Sequence, residues 1–159
     1  VEDKAQTLAI FFAQSEDNIR KVIQCPWVSF GSDGESISSE GIFLKSNPHP
    51  RYYGSFARIL GRYCREEKLI PLKEAIRRMT SFPASNLRLK ERGALLPGYF
   101  ADLVVFDPHT ITDLATYEKP HQYARGISQV FVNGVQVIKD SEHTGARPGK
   151  FLRGPGYQP

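Results

Sequence analysis

Trp27-Val28-Ser29-Phe30-Gly31-Ser32-Asp33-Gly34 is an apolar segment of strand length that breaks at a glycine and delivers a carboxylate into a turn. The residues before it turn the segment into a pattern. Leu8-Ala9-Ile10-Phe11-Phe12-Ala13 is an unbroken apolar run, again of strand length. Ser15 stands as an N-cap ahead of Glu16 and Asp17, acids that suit the positive end of a helix. Ile19, Val22 and Ile23 follow at helical spacing, and Pro26 stops the helix. Strand, helix, strand, with both strands apolar throughout, predicts a parallel α/β sheet. A carboxylate at the C-terminal end of such a strand lies at the mouth of a barrel or sheet, where α/β enzymes place catalytic groups. Asp-Gly is also ordinary turn chemistry. The tetrapeptide by itself leaves Asp33 as either a catalytic group or a turn cap.

Residues 34–50 are rich in Ser, Gly and Pro and read as a long loop, a length that often carries function. The loop holds two acids, Glu35 and Glu40, and ends in His49-Pro50-Arg51. An arginine there could clamp a carboxylate through two parallel hydrogen bonds, or simply stand in solvent. Two amphipathic helices follow, with stripes Phe56, Ile59, Leu60, Tyr63, Cys64 and then Leu72, Ala75, Ile76, Met79. Pro71 suits the first turn of the second. The character changes near residues 88–93. Ala101 to Phe106 reads as a short strand, and Val130-Phe131-Val132-Asn133-Gly134-Val135-Gln136-Val137 as a hairpin with a type I′ turn. A two-residue turn pairs Val132 with Val135 and Val130 with Val137. The tail from Gly145 is rich in Gly, Pro and Arg and is expected to wrap over a surface.

Composition narrows the class. The chain has 159 residues, 40% hydrophobic and 24% charged, which is a globular balance. A net charge of +4, spread evenly, gives no footprint for nucleic acid or an anionic membrane. No apolar run approaches the ~20 residues that span a bilayer. The charged start, Val1-Glu2-Asp3-Lys4, is unlike a secretory signal peptide. Cys25 and Cys64 are lone thiols that suit a reducing compartment, so a cytoplasmic protein is expected. His-x-His, HExxH, CxxC, G-x-S-x-G and P-loop motifs are all absent from the sequence. His109, His121 and His143 lie among polar neighbours and read as surface residues.

The segment Trp27 to Gly34, taken with His49-Pro50-Arg51 and Gly54-Ser55-Phe56-Ala57-Arg58-Ile59-Leu60-Gly61, resembles the C-terminal third of N-acyl-D-amino-acid deacylases (D-aminoacylases). These belong to the amidohydrolase superfamily of metal-dependent TIM-barrel hydrolases. The likeness continues through Ala75 to Thr80, Glu91-Arg92-Gly93, Pro97 to Pro108, Gly126-Ile127 and Val130 to Gly134, and so covers nearly the whole chain. The Gly-x-x-Ala-Asp-Leu-Val and Val-x-Val-Asn-Gly elements are similar to those of many amidohydrolases. Gly-Ser-Asp-Gly with His-Pro-Arg is what resembles the deacylase branch. The loop between them, residues 35–48, is longer than the family pattern.

The resemblance implies an α/β fold. Residues 1–90 would be the C-terminal portion of a (β/α)8 barrel with its closing helices, and 91–159 part of a small β-sandwich with a tail. A TIM barrel takes ~200 residues or more, so the chain would be a piece of a longer enzyme, inactive alone. It implies Zn²⁺ as cofactor, an ion that lowers the pKa of a bound water to ~7. Asp33 would match the family's proton-transferring aspartate, and is also a candidate metal ligand beside ligands outside this chain. Arg51 would match the arginine that holds the substrate carboxylate. The implied partners are a small N-acyl-D-amino acid, the remainder of the same polypeptide and, in an oligomer, further copies; neither nucleic acid nor membrane is among them. Two other readings stay open: a cyclic-amide amidohydrolase of hydantoinase or dihydroorotase type, and a non-catalytic β packing module.

Overall fold

Ser15 opens the first helix as its sequence requires. In the computed structural model, which describes residues 9 and 11–157, the Asn18 N–H donates to Ser15 Oγ at 3.2 Å. Helix α1, Glu16–Gln24, carries both expected acids in its first turn and buries Ile23. A 3₁₀ turn, Gly41–Lys45, interrupts the long loop. Helix α2, Arg51–Arg58, runs without a break into a wider π-helical stretch, Ile59–Glu66. Helices α3, Leu72–Met79, and α4, Ser81–Asn86, follow. Pro71 sits at the N-cap of α3, one place before the first turn.

The β part is a four-stranded antiparallel sheet, β1 Leu103–Phe106, β2 Ile127–Val132, β3 Val135–Lys139 and β4 Glu142–His143, in that order. Asn133 and Gly134 have φ of 49° and 81°, the two positive angles of a type I′ turn. Val132 pairs with Val135 as expected. The next expected pair does not form. The register shifts between Val130 and Phe131, so Val130 faces Ile138 while Phe131 faces Gln136. A β-bulge at Val137 gives β3 one extra residue, which moves every later side chain by one place. The short β4, which no apolar pattern announces, folds back through Asp140 and Ser141, both at positive φ.

Two elements expected as strands are not strands. Leu8 and Ile10 lie outside the described residues. Ala9, Phe11, Phe12 and Ala13 join no ladder, and Phe11 and Phe12 are 85% and 76% exposed. The segment from Trp27 to Phe30 is irregular, with Trp27 73% exposed, although the Phe30 N–H donates to the Arg78 carbonyl at 3.3 Å. The cause is physical. A strand satisfies its backbone through neighbours on its edges, and among the described residues neither segment has a partner strand. The expected parallel sheet is therefore not formed among the described residues. What remains is a helical layer and a separate antiparallel sheet.

The core joins α1, α2 and its π-helical extension, and α3: Ile23, Ala57, Leu60, Tyr63, Cys64, Ile70 and Ala75, closed by Ile111 from beyond β1. Burial of such side chains contributes roughly 1.5–3 kcal/mol for each large one. Close approach is built in at Gly61, where a Cβ would lie 2.5 Å from the Ile111 carbonyl oxygen. The residue 108–115 stretch can therefore lie directly on the helix. The amidohydrolase-like motifs of the β part meet in one knot. Asp102 accepts the Asn133 N–H at 2.8 Å and pairs with Arg92, which also donates to Asn133 Oδ1 at 2.6 Å. These residues hold the hairpin to the chain that enters it.

Candidate functional site

Asp33 stands in the left-handed region, φ 49°, immediately after the irregular 27–32 segment. That conformation is uncommon for a residue with a Cβ, though Asp tolerates it better than most. The following Gly34 lets the turn close, since a Cβ there would lie 2.9 Å from the Tyr52 Cα. Gly34 thereby lays the Asp33 turn against the first turn of α2, which begins at Arg51. The result brings together the two residues singled out from sequence: Arg51 Nη2 lies 3.0 Å from Asp33 Oδ2. Asp33 is otherwise open, with 88% of its side chain accessible, so the carboxylate can face a small molecule.

Behind Arg51 lies His49. Its Nδ1 accepts the Arg51 backbone N–H at 3.0 Å, and its Nε2 faces the Tyr117 hydroxyl at 3.1 Å. Burial, and then the neighbouring Arg51 charge, push the His49 pKa below the usual imidazole value, which favours the neutral ring. The long loop is tied to residues 113–123 beyond the core. Tyr123 Oη accepts the Ser39 N–H at 3.1 Å, Tyr53 Oη donates to the Ser38 carbonyl at 3.1 Å, and His121 Nε2 lies 3.1 Å from the Phe43 carbonyl. His109 and His143 are exposed, as expected, whereas His121 is half-buried against the loop. Glu35 and Glu40 are exposed loop acids.

Tyr117, Tyr123 and Asp113 carried no signal in the sequence. They lie 80 to 90 residues from Asp33 along the chain in a segment without periodicity or motif, and contact alone reveals them. As to a metal, the described residues contain no group of three or more His, Cys, Asp or Glu side chains placed to hold an ion. Asp33 contributes one carboxylate, with Arg51 at its side.

This geometry sits within a shared framework. The amidohydrolase family model matches residues 19–138, most of the chain, and the chain belongs to that family. Within it, D-aminoacylase of Alcaligenes xylosoxydans xylosoxydans is 42% identical over 144 residues, covering 91% of this chain and 28% of that protein. A crystal structure of D-aminoacylase superposes with a TM-score of 0.77 at 41% identity, over 86% of this chain and 27% of that one. N-acyl-D-glutamate deacylase from Bordetella bronchiseptica, complexed with zinc and a phosphonate that mimics the tetrahedral intermediate, gives a TM-score of 0.71 at 45% identity, over 79% and 25%. This chain thus spans little more than a quarter of the relatives it matches.

Proposed function

We propose that this chain is the C-terminal portion of a zinc-dependent N-acyl-D-amino-acid deacylase, which hydrolyses an N-acyl-D-amino acid to a carboxylate and a D-amino acid. The observation that carries the proposal is the Asp33–Arg51 pair, 3.0 Å apart, with Asp33 open to solvent on a chain 42% identical to D-aminoacylase. Residues 1–90 are assigned to a TIM barrel and its closing helices, and 91–159 to the small β domain beside it. In support, the last helix ends at Asn86 and the first strand begins at Leu103. The described residues do not make a metal site; the zinc ligands are assigned to the rest of the polypeptide, and this chain alone is expected to hold no stoichiometric zinc and to turn nothing over. The two free cysteines support a cytoplasmic location. No helix among the described residues is long and apolar enough to cross a membrane. The relatives named above are, by their names, a D-aminoacylase and an N-acyl-D-glutamate deacylase, which favours the deacylase over a cyclic-amide hydrolase.

Asp33 is the general base and acid of this reading. As a carboxylate it accepts a proton from the attacking water and returns it to the departing amide nitrogen. Arg51 binds the carboxylate of the D-amino acid. Its planar fork suits a carboxylate better than the point charge of a lysine, and its nearness to Asp33 sets the substrate's acid group beside the proton-transferring one. Charge-assisted hydrogen bonds contribute about 1.5–3 kcal/mol, or about one to two powers of ten in kcat/KM. Arg51→Lys in the full-length enzyme is expected to lose that much on N-acetyl-D-amino acids and far less on the matching carboxamides, which lack the free acid. An equal loss on both substrates would reduce Arg51 to a structural residue of the loop.

A further inference from the structure

We propose that His49 and Tyr117 form a positioning relay that aims Arg51, so that the segment following β1 helps set how the substrate carboxylate is read. The proposal rests on the assignment of Arg51 above. Arg51 is the first residue of α2, and its N–H is one of the donors a helix start leaves without an intrahelical partner. Pro50 before it has no N–H to offer and holds φ at −52°. His49 Nδ1 closes this turn from two residues upstream, at 3.0 Å, as an Asn or Asp oxygen does in an Asx-turn.

The bond also decides the ring's chemistry. An Nδ1 that accepts an N–H carries no proton, so the neutral ring has its proton on Nε2. Nε2–H therefore donates to Tyr117 Oη, 3.1 Å away. The two rings meet edge to face at 5.1 Å, and Phe12 also packs on Tyr117, with centroids 4.8 Å apart. Tyr117 itself is fixed at the tip of a tight turn. Thr116 N–H donates to the Lys119 carbonyl at 3.1 Å, and the Lys119 N–H returns to Thr116 Oγ1 at 3.0 Å. Asn47 Nδ2, two residues before His49, reaches the Tyr117 carbonyl at 3.4 Å. The imidazole is thus held from both sides of the His-Pro-Arg turn by one tyrosine and its backbone. A ring free to rotate would lose the Nδ1 bond, and with it the backbone that starts Arg51 toward Asp33.

Three variants of the full-length enzyme separate this relay from a simple turn cap. Tyr117→Phe leaves the Nδ1 bond intact and removes only the hydroxyl. It is expected to raise KM for an N-acetyl-D-amino acid about three- to tenfold (about 0.6–1.4 kcal/mol), with kcat changed less than about twofold and the carboxamide substrate little affected. His49→Ala should raise KM further. His49→Asn, whose oxygen can accept the Arg51 N–H but not reach Tyr117, should recover the Ala loss only to the Tyr117→Phe level. Full recovery by Asn together with an unchanged KM in Tyr117→Phe would overturn the relay and leave His49 as a turn cap. Crystal structures of the His49→Ala and Tyr117→Phe enzymes give a readout independent of substrate class. Arg51 displaced from Asp33 supports the relay, and an undisturbed pair overturns it. If the wild-type enzyme fails to cleave N-acyl-D-amino acids, the deacylase assignment falls while the crystallographic result still decides the relay.

Discussion

Removing Arg78 should unfasten the chain that leads to Asp33. Arg78 lies on α3 with 0% of its surface exposed. Its Nε donates to the Val28 carbonyl and its Nη1 to the Ile23 carbonyl, each at 2.5 Å. The Ile23 carbonyl belongs to the last turn of α1, where no intrahelical donor reaches it. The guanidinium also lies 4.3 Å from the Phe30 ring centroid, and the Arg78 carbonyl accepts the Phe30 N–H. One side chain and its own backbone therefore fix the end of α1 and the segment that runs into Asp33. Two charge-assisted bonds at about 1.5–3 kcal/mol each give the upper bound. Against this stands the buried Nη2, which has no partner among the described residues; loss of solvation on burial lowers the Arg78 pKa. Arg78→Ala leaves the buried Ile23 carbonyl and the half-buried Val28 carbonyl unpaired and opens a cavity, at a net cost of about 3–5 kcal/mol. At about 2–4 °C per kcal/mol for a domain of this size, Tm should fall by roughly 6–20 °C. Arg78→Met fills the volume and removes the unpaired Nη2, so it should cost less than Ala. Thermal unfolding by circular dichroism reads both, and amide exchange at Phe30 should quicken. A Tm shift below about 2 °C for Arg78→Ala would refute the reasoning.

Asp33→Ala in the full-length enzyme should lower kcat by roughly 10²-fold or more, the usual worth of a general acid–base group; steady-state kinetics at saturating substrate checks it, and near-normal kcat would make Asp33 a turn residue. Glu67 accepts from Arg20 and then Arg62, which hold its carboxyl at about 2. Its folded pKa is depressed, so its contribution is whole above the ordinary value near 4.5 and is lost as pH falls toward about 2. Acid titration of Tm should lose part of its slope in that window in Glu67→Gln. Gly61→Ala should destabilise by about 1–3 kcal/mol through overpacking, because its Cβ meets the Ile111 carbonyl oxygen at 2.5 Å. Gly149→Ala, with nothing within 4 Å, should leave Tm unchanged in the same melt.

What was legible in the sequence was what local chemistry decides. Ser15 caps α1 because its hydroxyl lies within reach of Asn18, and Asn133-Gly134 turns because both residues accept positive φ. Asp33 and Arg51 were legible as motif members, although only folding shows them 3.0 Å apart. The bulge that re-pairs Val130 with Ile138 was not, since nothing in the alternation of valines marks an extra residue. The apolar runs at residues 8–13 and 27–30 carry the composition of buried strands, but a strand's ladder depends on neighbours that its own residues cannot specify. Arg78 reads in sequence as one basic residue of an amphipathic helix. Its meaning comes from carbonyls 50 and 55 residues away.

Among the described residues no sheet lies beneath Asp33 and Arg51, and a charge network links the elements that carry them. Glu16 at the start of α1 accepts from Tyr63 at 2.9 Å, Arg58 at 3.2 Å and Arg62 at 3.5 Å, all on α2 and its extension. Tyr63 and the two arginines hold the Glu16 pKa below its ordinary value, although burial alone would raise it. Arg20 adds a two-point contact from α1 to Glu67 at the far end of that extension. Arg58 also donates to Asp113 at 3.1 Å, and Gly54 lets Asp113 approach until a Cβ would meet it at 2.8 Å. A single exposed ion pair contributes only about 0–1 kcal/mol. Here the acceptors are shared, the side chains are half-buried, and the links join α1 to both α2 and its extension, and α2 to the segment that begins at Asp113. Helix α1 leads into the Asp33 segment, α2 begins at Arg51, and Asp113 begins the stretch that carries Tyr117. The network therefore ties the three pieces of chain that must stay in register for Asp33, Arg51 and Tyr117 to meet. A change at Glu16 should reach the site even though Glu16 does not touch it.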